Sequence, residues 1–249
     1  GLHNSIFRGK NLGTTVTTEQ YTAISNGTFD DLWIGDYWVI NGVNWRIAAF
    51  DYWYYTGSPT ICTTHHVVIV PDKKIVAADS STTYWMNTSL TTEGGYVGTG
   101  FYSGTNADET ENTGKSQCID IIEAAFGSDH ILTHREYLSN AVTSGYPSAC
   151  AWYDSTVELM NEQMVFGSRV FAPMGNGSTI PANYTVDNSQ LPLFALAPQY
   201  IITANRTYWW LRDVVSATAF AGVGYNGYSS YDGAAATYVG LRPCFGICA

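Results

Sequence analysis

Asn41-Gly42 constrains this chain more than any other pair of residues. Apolar, strand-forming runs flank it, Asp36 to Ile40 on one side and Val43 to Phe50 on the other. A two-residue link between such runs needs positive φ at both positions, which Asn-Gly accepts at low cost, so a type I′ hairpin is expected. A third strand follows at His66 to Val70 and ends at Pro71-Asp72. An antiparallel sheet therefore opens the fold.

Helix signals are few. Thr17 with Gln20 three residues on makes a capping box for a helix that carries Tyr21 and Ile24 and stops at Asn26-Gly27. From Lys115 to Phe126, Cys118, Ile121, Ile122, Ala125 and Phe126 fall on one helical face, with Gly127 as the stop. Leu90 to Gly114 and Gly175 to Ser189 are expected as loops. Thr156 to Phe171, with Val157, Leu159, Met164 and Phe166, supports a strand at least as well as a helix, and Leu191-Pro192-Leu193-Phe194 starts another buried run. Residues 1–14 are polar and punctuated by glycine, and are read as an arm that docks on a neighbour or connects to something upstream. No repeat or linker divides the rest, so residues 15–249 form one domain.

Only 13% of the residues are charged while 14% are aromatic, with 24 glycines. That balance favours an extracellular or virion protein rich in strands over a helical cytosolic enzyme. A net charge of −10 argues against nucleic acid or an anionic membrane as partner. No apolar run is long enough for a membrane span.

Chemistry-bearing groups are sparse. His130 and His134 have the four-residue spacing of a metal pair, with Glu136 nearby, but the intervening Ile-Leu-Thr suits a strand and no glutamate follows the first histidine. They are read as structural or surface histidines. Asp108, Glu109 and Glu111 form an acidic loop cluster, read as solvated charge. Cys62, Cys118, Cys150, Cys244 and Cys248 are too scattered for a disulfide framework and are read mainly as small buried hydrophobes, with Cys118 to Cys150 as the alternative pair. On one strand Cys244 and Cys248 would lie about 13 Å apart, beyond disulfide reach. Asn26, Asn87, Asn176, Asn183 and Asn205 head glycosylation sequons, read as coincidence in a chain rich in Asn, Ser and Thr. No phosphate loop or nucleophile elbow is present, and no cofactor or metal is expected.

The segment Asp213 to Gly240 has a vocabulary of its own. It contains no Lys, Glu, Gln, Met or Trp and is built from Asp, Val, Ser, Ala, Thr, Phe, Gly, Tyr and Asn. Recognition loops use this set because Tyr supplies rigid area and Ser, Gly and Asn supply adaptable hydrogen bonds. The same set is reachable from an Asn codon by changing only its adenines. Trp209-Trp210-Leu211-Arg212 and Gly240-Leu241-Arg242-Pro243 bracket the segment as scaffold. Strand alternation puts Trp210 and Arg212 on one face and Trp209 and Leu211 on the other, one pair packing and the other supporting the adjoining surface. Pro243 belongs at a strand boundary or edge.

Trp210-Leu211-Arg212-Asp213, the segment that follows and Gly240-Leu241-Arg242-Pro243 together resemble the C-terminal part of C-type lectin fold proteins, above all the variable proteins of diversity-generating retroelements and related phage virion proteins. Phe7-Arg8-Gly9-Lys10-Asn11-Leu12-Gly13, Phe29-Asp30-Asp31-Leu32-Trp33-Ile34-Gly35-Asp36-Tyr37-Trp38 and Leu191-Pro192-Leu193-Phe194-Ala195-Leu196 are similar to segments of tail or surface proteins from phages of gut Firmicutes. The resemblance implies an α+β, C-type lectin-like fold of twisted antiparallel sheets flanked by two helices, here with long loop insertions. It also implies a ligand face within residues 208–244, diversified at Val215, Ala217, Ala221, Gly222, Tyr225, Asn226, Tyr228, Ser229, Tyr231, Asp232 and Tyr238 and held by Trp209, Trp210, Arg212 and Arg242. The calcium motifs of sugar-binding lectins are absent. Formylglycine-generating enzymes share the general fold and use a cysteine pair near the C-terminal end, but Pro243 and the spacing of Cys244 and Cys248 depart from their pattern.

The expected function is therefore non-enzymatic: a receptor-binding protein on the virion surface, in a tail or head fibre, that contacts a bacterial surface protein or glycan. Tyr225, Tyr228 and Tyr231 are its expected anchors, with Asn226, Ser229 and Asp232 as polar contacts. Contact with other virion proteins through the arm and a homo-oligomer, a trimer in the fibre case, go with that reading. A structural head-decoration or fibre module without a receptor, and a bacterial surface adhesin, are the alternatives.

Overall fold

The computed structural model describes residues 2–76, 84–86, 102–103, 114–138, 141–143, 146–148, 150–172, 189–216, 218–233, 236 and 238–249. The described chain is α+β, with mainly antiparallel strands and few helices. In chain order the strands are β1 (Tyr37–Ile40), β2 (Val43–Phe50), β3 (Val67–Pro71), β4 (Tyr84–Trp85), β5 (Tyr102–Ser103), β6 (His134–Leu138), β7 (Ala141–Thr143), β8 (Tyr146–Ser148), β9 (Ala151–Ser155), β10 (Val157–Leu159), β11 (Trp209–Ser216), β12 (Ala219–Val223), β13 (Ser229–Gly233) and β14 (Pro243–Ile247). The α-helices are α1 (Thr18–Ser25), α2 (Gly114–Phe126), α3 (Glu162–Phe166) and α4 (Pro192–Leu196).

The central sheet has the order β1-β2-β3-β14-β10, antiparallel throughout. Its first hairpin turns at Asn41 (φ 51°) and Gly42 (φ 74°), the two positive values that a type I′ turn requires. β3 and β14 are buried along their whole length. The Val-Val-Ile-Val run of β3 suits this setting, because branched side chains fill a sheet covered on both faces. Pro243 opens β14, where the missing N–H costs the ladder least.

α2 packs on this sheet through Phe126, which meets Trp45 of β2 and Phe245 of β14 edge-on, with ring centroids 5.5 and 5.3 Å away. Such aromatic pairs add ~0.5–1.5 kcal/mol each beyond the area they bury. Cys118, Ile122 and Phe126 of the expected face are buried, and Ile121 and Ala125 sit at its margin. α1 has the expected reciprocal cap: Thr17 accepts from the Gln20 N–H, and the Gln20 side chain accepts from the Thr17 N–H.

Several expectations need amending. The segment Thr156 to Phe171 is both forms in succession, β10 and then α3, because the Asn161 side chain caps the Met164 N–H and starts a new helix. Within Leu90 to Gly114, Tyr102–Ser103 pairs with Tyr84–Trp85. Gly114, expected as loop, opens α2, and the rest of that span lies outside the described residues, as do Asp108, Glu109, Glu111, Asn87, Asn176, Asn183 and nearly all of Gly175 to Ser189. Four described helices replace the expected two, α3 and α4 being five residues each.

The opening segment, expected as an arm that docks on a neighbour or connects to something upstream, lies along β1 of its own chain. Its backbone pairs with Ile34, Tyr37 and Val39. Beneath it the enclosed Asp36 carboxylate accepts from Arg8, from the Lys10 N–H and from the Trp33 N–H. A buried carboxylate that collects this many donors fixes the strand beside it. A polar, glycine-punctuated sequence thus finds its partners inside the fold.

Candidate functional site

A second sheet, β11-β12-β13, carries the site. β12 is wholly buried, whereas β13 alternates between half-buried and exposed. The turn between them is closed by the Gly227 N–H donating to the Gly224 carbonyl (2.8 Å) and the Gly224 N–H to the Tyr228 carbonyl (2.9 Å). This lifts Tyr225 and Asn226 clear of the surface.

Four tyrosines gather at this end of the sheet. Tyr208 lies at their centre, with ring centroids 5.6 Å from Tyr225, 6.4 Å from Tyr228 and 5.1 Å from Tyr238. The Tyr208 and Tyr228 hydroxyls share a hydrogen bond of 2.9 Å. The Tyr238 hydroxyl donates to Asp232. That bond pushes the Tyr238 pKa up to about 12, and the bond to Tyr208 likewise raises that of Tyr228. Both phenols therefore stay protonated throughout the neutral range.

The aromatic surface continues along β13. Tyr231, 53% exposed, meets the ring of Phe171 at 4.9 Å. Phe171 comes from the segment after α3 and is held there by Glu162, whose carboxylate is completely buried. Glu162 accepts from the N–H groups of Val170, Phe171 and Ala172 and from the Ser229 hydroxyl. A buried charge is tolerable when donors surround it, and here they come from two separate segments.

Below the aromatic surface is a rigid frame. Trp209, Trp210, Leu211 and Arg212 are all buried, so the expected split into a packing pair and a surface-supporting pair gives way to a strand covered on both sides. The Trp209 indole N–H donates to the Ile201 carbonyl. Arg212 reaches Glu136 of β6 and the Leu159 carbonyl of β10. Arg242, fully buried, donates to the carbonyls of Pro71 (2.7 Å) and Tyr200 (2.8 Å) and stacks on Trp209 at 4.8 Å. The two ends of the segment are joined as well: the Trp210 N–H donates to the Gly240 carbonyl, and the Gly240 N–H to the Tyr208 carbonyl.

The eleven positions expected to contact ligand therefore divide. Tyr225, Asn226, Tyr228, Tyr231 and Tyr238 are exposed, while Val215, Ser229 and Asp232 are half-buried. Ala221 and Gly222 are corrected: both are buried within β12, the middle strand of its sheet, and offer a ligand no surface. Ala217 lies outside the described residues. Sequence reasoning missed Tyr208, Val170, Phe171 and Glu162. Tyr208 adjoins the aromatic run of β11 and could have been included on that ground. Phe171 is 60 positions from Tyr231, and nothing local signals their contact.

The two histidines of the expected metal spacing make packing and hydrogen-bond contacts instead. His130 stacks on Tyr21 (3.8 Å) and its Nδ1 bonds the Cys248 carbonyl, whereas His134 is buried on Trp53 (3.9 Å) and bonds Glu136. Among the described residues no group of three or more His, Cys, Asp or Glu side chains could hold a metal ion. None of the five cysteines stands in a disulfide, so the Cys118 to Cys150 pair does not form. Cys118 and Cys244 are buried as expected, and burial pushes both thiols up; Cys62, Cys150 and Cys248 are half-buried. Among the described residues no helix is long and apolar enough to cross a membrane. No family model, curated protein or solved structure matches the chain.

Proposed function

We propose that this chain is a non-enzymatic receptor-binding protein displayed on a phage particle, and that the surface of Tyr208, Tyr225, Tyr228, Tyr231 and Tyr238 contacts the host. One observation carries this reading: exposed aromatics cluster on one sheet above a frame of buried Trp and Arg. Isolated surface hydrophobes are ordinary, but a contiguous group of them marks an interaction site. Tyrosine suits the role, since it brings large area at small entropic cost. Several copies per particle would convert modest single-site affinity into firm attachment.

A C-type lectin-like arrangement fits the joining of the two ends of the variable segment at Trp210 and Gly240 beside an antiparallel sheet. Retroelement diversification fits the division of labour between a buried frame and an exposed, Tyr-rich turn. Of the diversified positions, those at the turn and along β13, together with Tyr238, are then the contact residues. Attachment to another virion protein would fall on Leu2 and Ile6, which remain exposed on the docked opening segment.

Replacing Tyr225, Tyr228 and Tyr231 together by Ser tests the proposal. Adsorption to host cells should be lost while particle assembly is unchanged. Unchanged adsorption would overturn it, and lost assembly with normal adsorption of the surviving particles would favour a structural virion module. Sequencing the codons for residues 208–244 across isolates tests the mechanism of diversification, which predicts changes confined to adenines of a template copy.

A further inference from the structure

We infer that the partner of this aromatic face is a protein surface rather than a glycan, with Val170 and Phe171 as apolar contacts supplied from outside the Tyr-rich segment. This rests on the receptor-binding reading above and narrows it.

Several polar groups of the face are already paired within the chain. The Tyr208 hydroxyl bonds that of Tyr228, the Tyr238 hydroxyl bonds Asp232, Arg206 donates to Asn226 (3.2 Å) and Ser229 donates to Glu162 (3.2 Å). A sugar presents a dense set of hydroxyls and is recognised by donors and acceptors that are free to meet them. Here those groups would first have to break their own bonds. Covering these paired groups with an apolar partner costs them none of their bonds, so this part of the face can be desolvated at little cost. Aromatic enrichment with few charges is also the make-up of a protein interface core.

The Val170 and Phe171 side chains point the same way. They are 53% and 37% exposed and offer the aliphatic or aromatic side chains of a partner a surface to bury, Val170 presenting branched aliphatic area with no ring face for a sugar to stack on. Their position is fixed by design of the backbone: Glu162 binds the N–H groups of residues 170–172 and the Ser229 hydroxyl together, which locks this segment to β13. Charge excludes a further class of partner, because a chain of net charge −10 is repelled by anionic wall polymers.

The full chain, fluorescently labelled, should be titrated onto cells of strains to which it adsorbs, before and after treatment with proteinase K or with periodate. Protease treatment should abolish binding, and periodate should leave it intact. Phe171→Ala and Val170→Ser should each weaken binding, the former about tenfold, with melting temperatures close to that of the parent. Binding that survives protease and falls after periodate overturns the inference, as do Phe171→Ala and Val170→Ser variants that bind like the parent. In either of those cases the triple tyrosine variant still separates the two readings. If it fails to adsorb, the receptor reading stands without this refinement; if it adsorbs normally, both fall.

Discussion

Arg212 of β11 donates to Glu136 of β6 inside the core, 76 positions apart in sequence, and ties the sheet that carries the aromatic face to the body of the fold. Both side chains are buried, and His134 adds a second bond to the carboxylate at 2.8 Å. Burial alone would raise the Glu136 pKa, but the Arg212 charge and the His134 bond outweigh it and hold the group at about 2. Removing one partner of a buried pair strands the other, so Arg212→Ala should cost about 3–5 kcal/mol in urea unfolding. Because the folded pKa lies below the ordinary value of 4.5, this contribution is complete above about pH 4.5 and is lost as pH falls towards 2. Unfolding curves at pH 7, 4 and 2.5 should show that loss in the parent.

His66 should make stability depend on pH in a higher window. Its Nδ1 lies 2.8 Å from the Thr64 carbonyl and its Nε2 accepts the Trp53 N–H at 3.1 Å, an arrangement that only the neutral ring satisfies. Burial, with His134 and His65 nearby, lowers its pKa to about 4, against the opposing pull of the Thr64 carbonyl and Asp51. The unfolded chain then takes up a proton at about 6.5 that the folded chain refuses. Stability on the order of 3 kcal/mol is therefore lost between pH 6.5 and 4. A His66→Gln variant should be less stable at pH 7 and show a flatter profile across that interval.

Gly224 leaves room for Tyr228. A methyl group at this glycine would sit 2.2 Å from the Tyr228 ring, which can only swing outward in response. Gly224→Ala should therefore break the Tyr208–Tyr228 hydrogen bond and, under the proposed function, weaken adsorption to host cells. Because a surface side chain absorbs the strain, unfolding should change by no more than about 1 kcal/mol. A large loss of stability would show that the turn, not the ring, is what the substitution disturbs.

The phenols of the face can be followed directly. In an ultraviolet titration, Asp232→Asn should move one tyrosine from about 12 back towards the ordinary value of 10, because the acceptor that stabilises the protonated Tyr238 is weakened. An unchanged titration would place the Tyr238 hydroxyl elsewhere in solution.

Local signals were legible in the sequence where the cause itself was local. Asn41-Gly42 set a hairpin, Thr17 and Gln20 set a helix start, and Pro243 set a strand boundary, each through the backbone preferences of one to four residues. The exposed tyrosines of the site were legible for the same reason, as an unusual composition within one window. What escaped depends on tertiary contact. Trp209 and Trp210 obey strand alternation, yet the fold covers both sides of β11, so alternation no longer separates inside from outside. Ala221 and Gly222 share the vocabulary of the surface positions but lie in the middle strand of a sheet. Glu162 reads as a charged residue at the start of a short helix, and only the approach of residues 170–172 and Ser229 turns it into an organising group.

β14 lies between β3 and β10, so the strand that completes the central sheet is assembled from residues 243–247. On the ribosome, everything before it must wait with the edge of β3 unpaired, an open template for misassembly. Pairing across such sequence separations also makes folding slow. The Tyr-rich segment is synthesised just ahead of β14 and closed off by it. Residues altered there enter a nascent chain in which β3 is still unpaired on one side, and the buried Leu-Arg-Pro-Cys-Phe run that follows must reach its slot whatever the preceding turn contains. Tolerance to change at the face is thus bounded by kinetics: a variant succeeds only if its turn lets β14 reach β3 before another chain does.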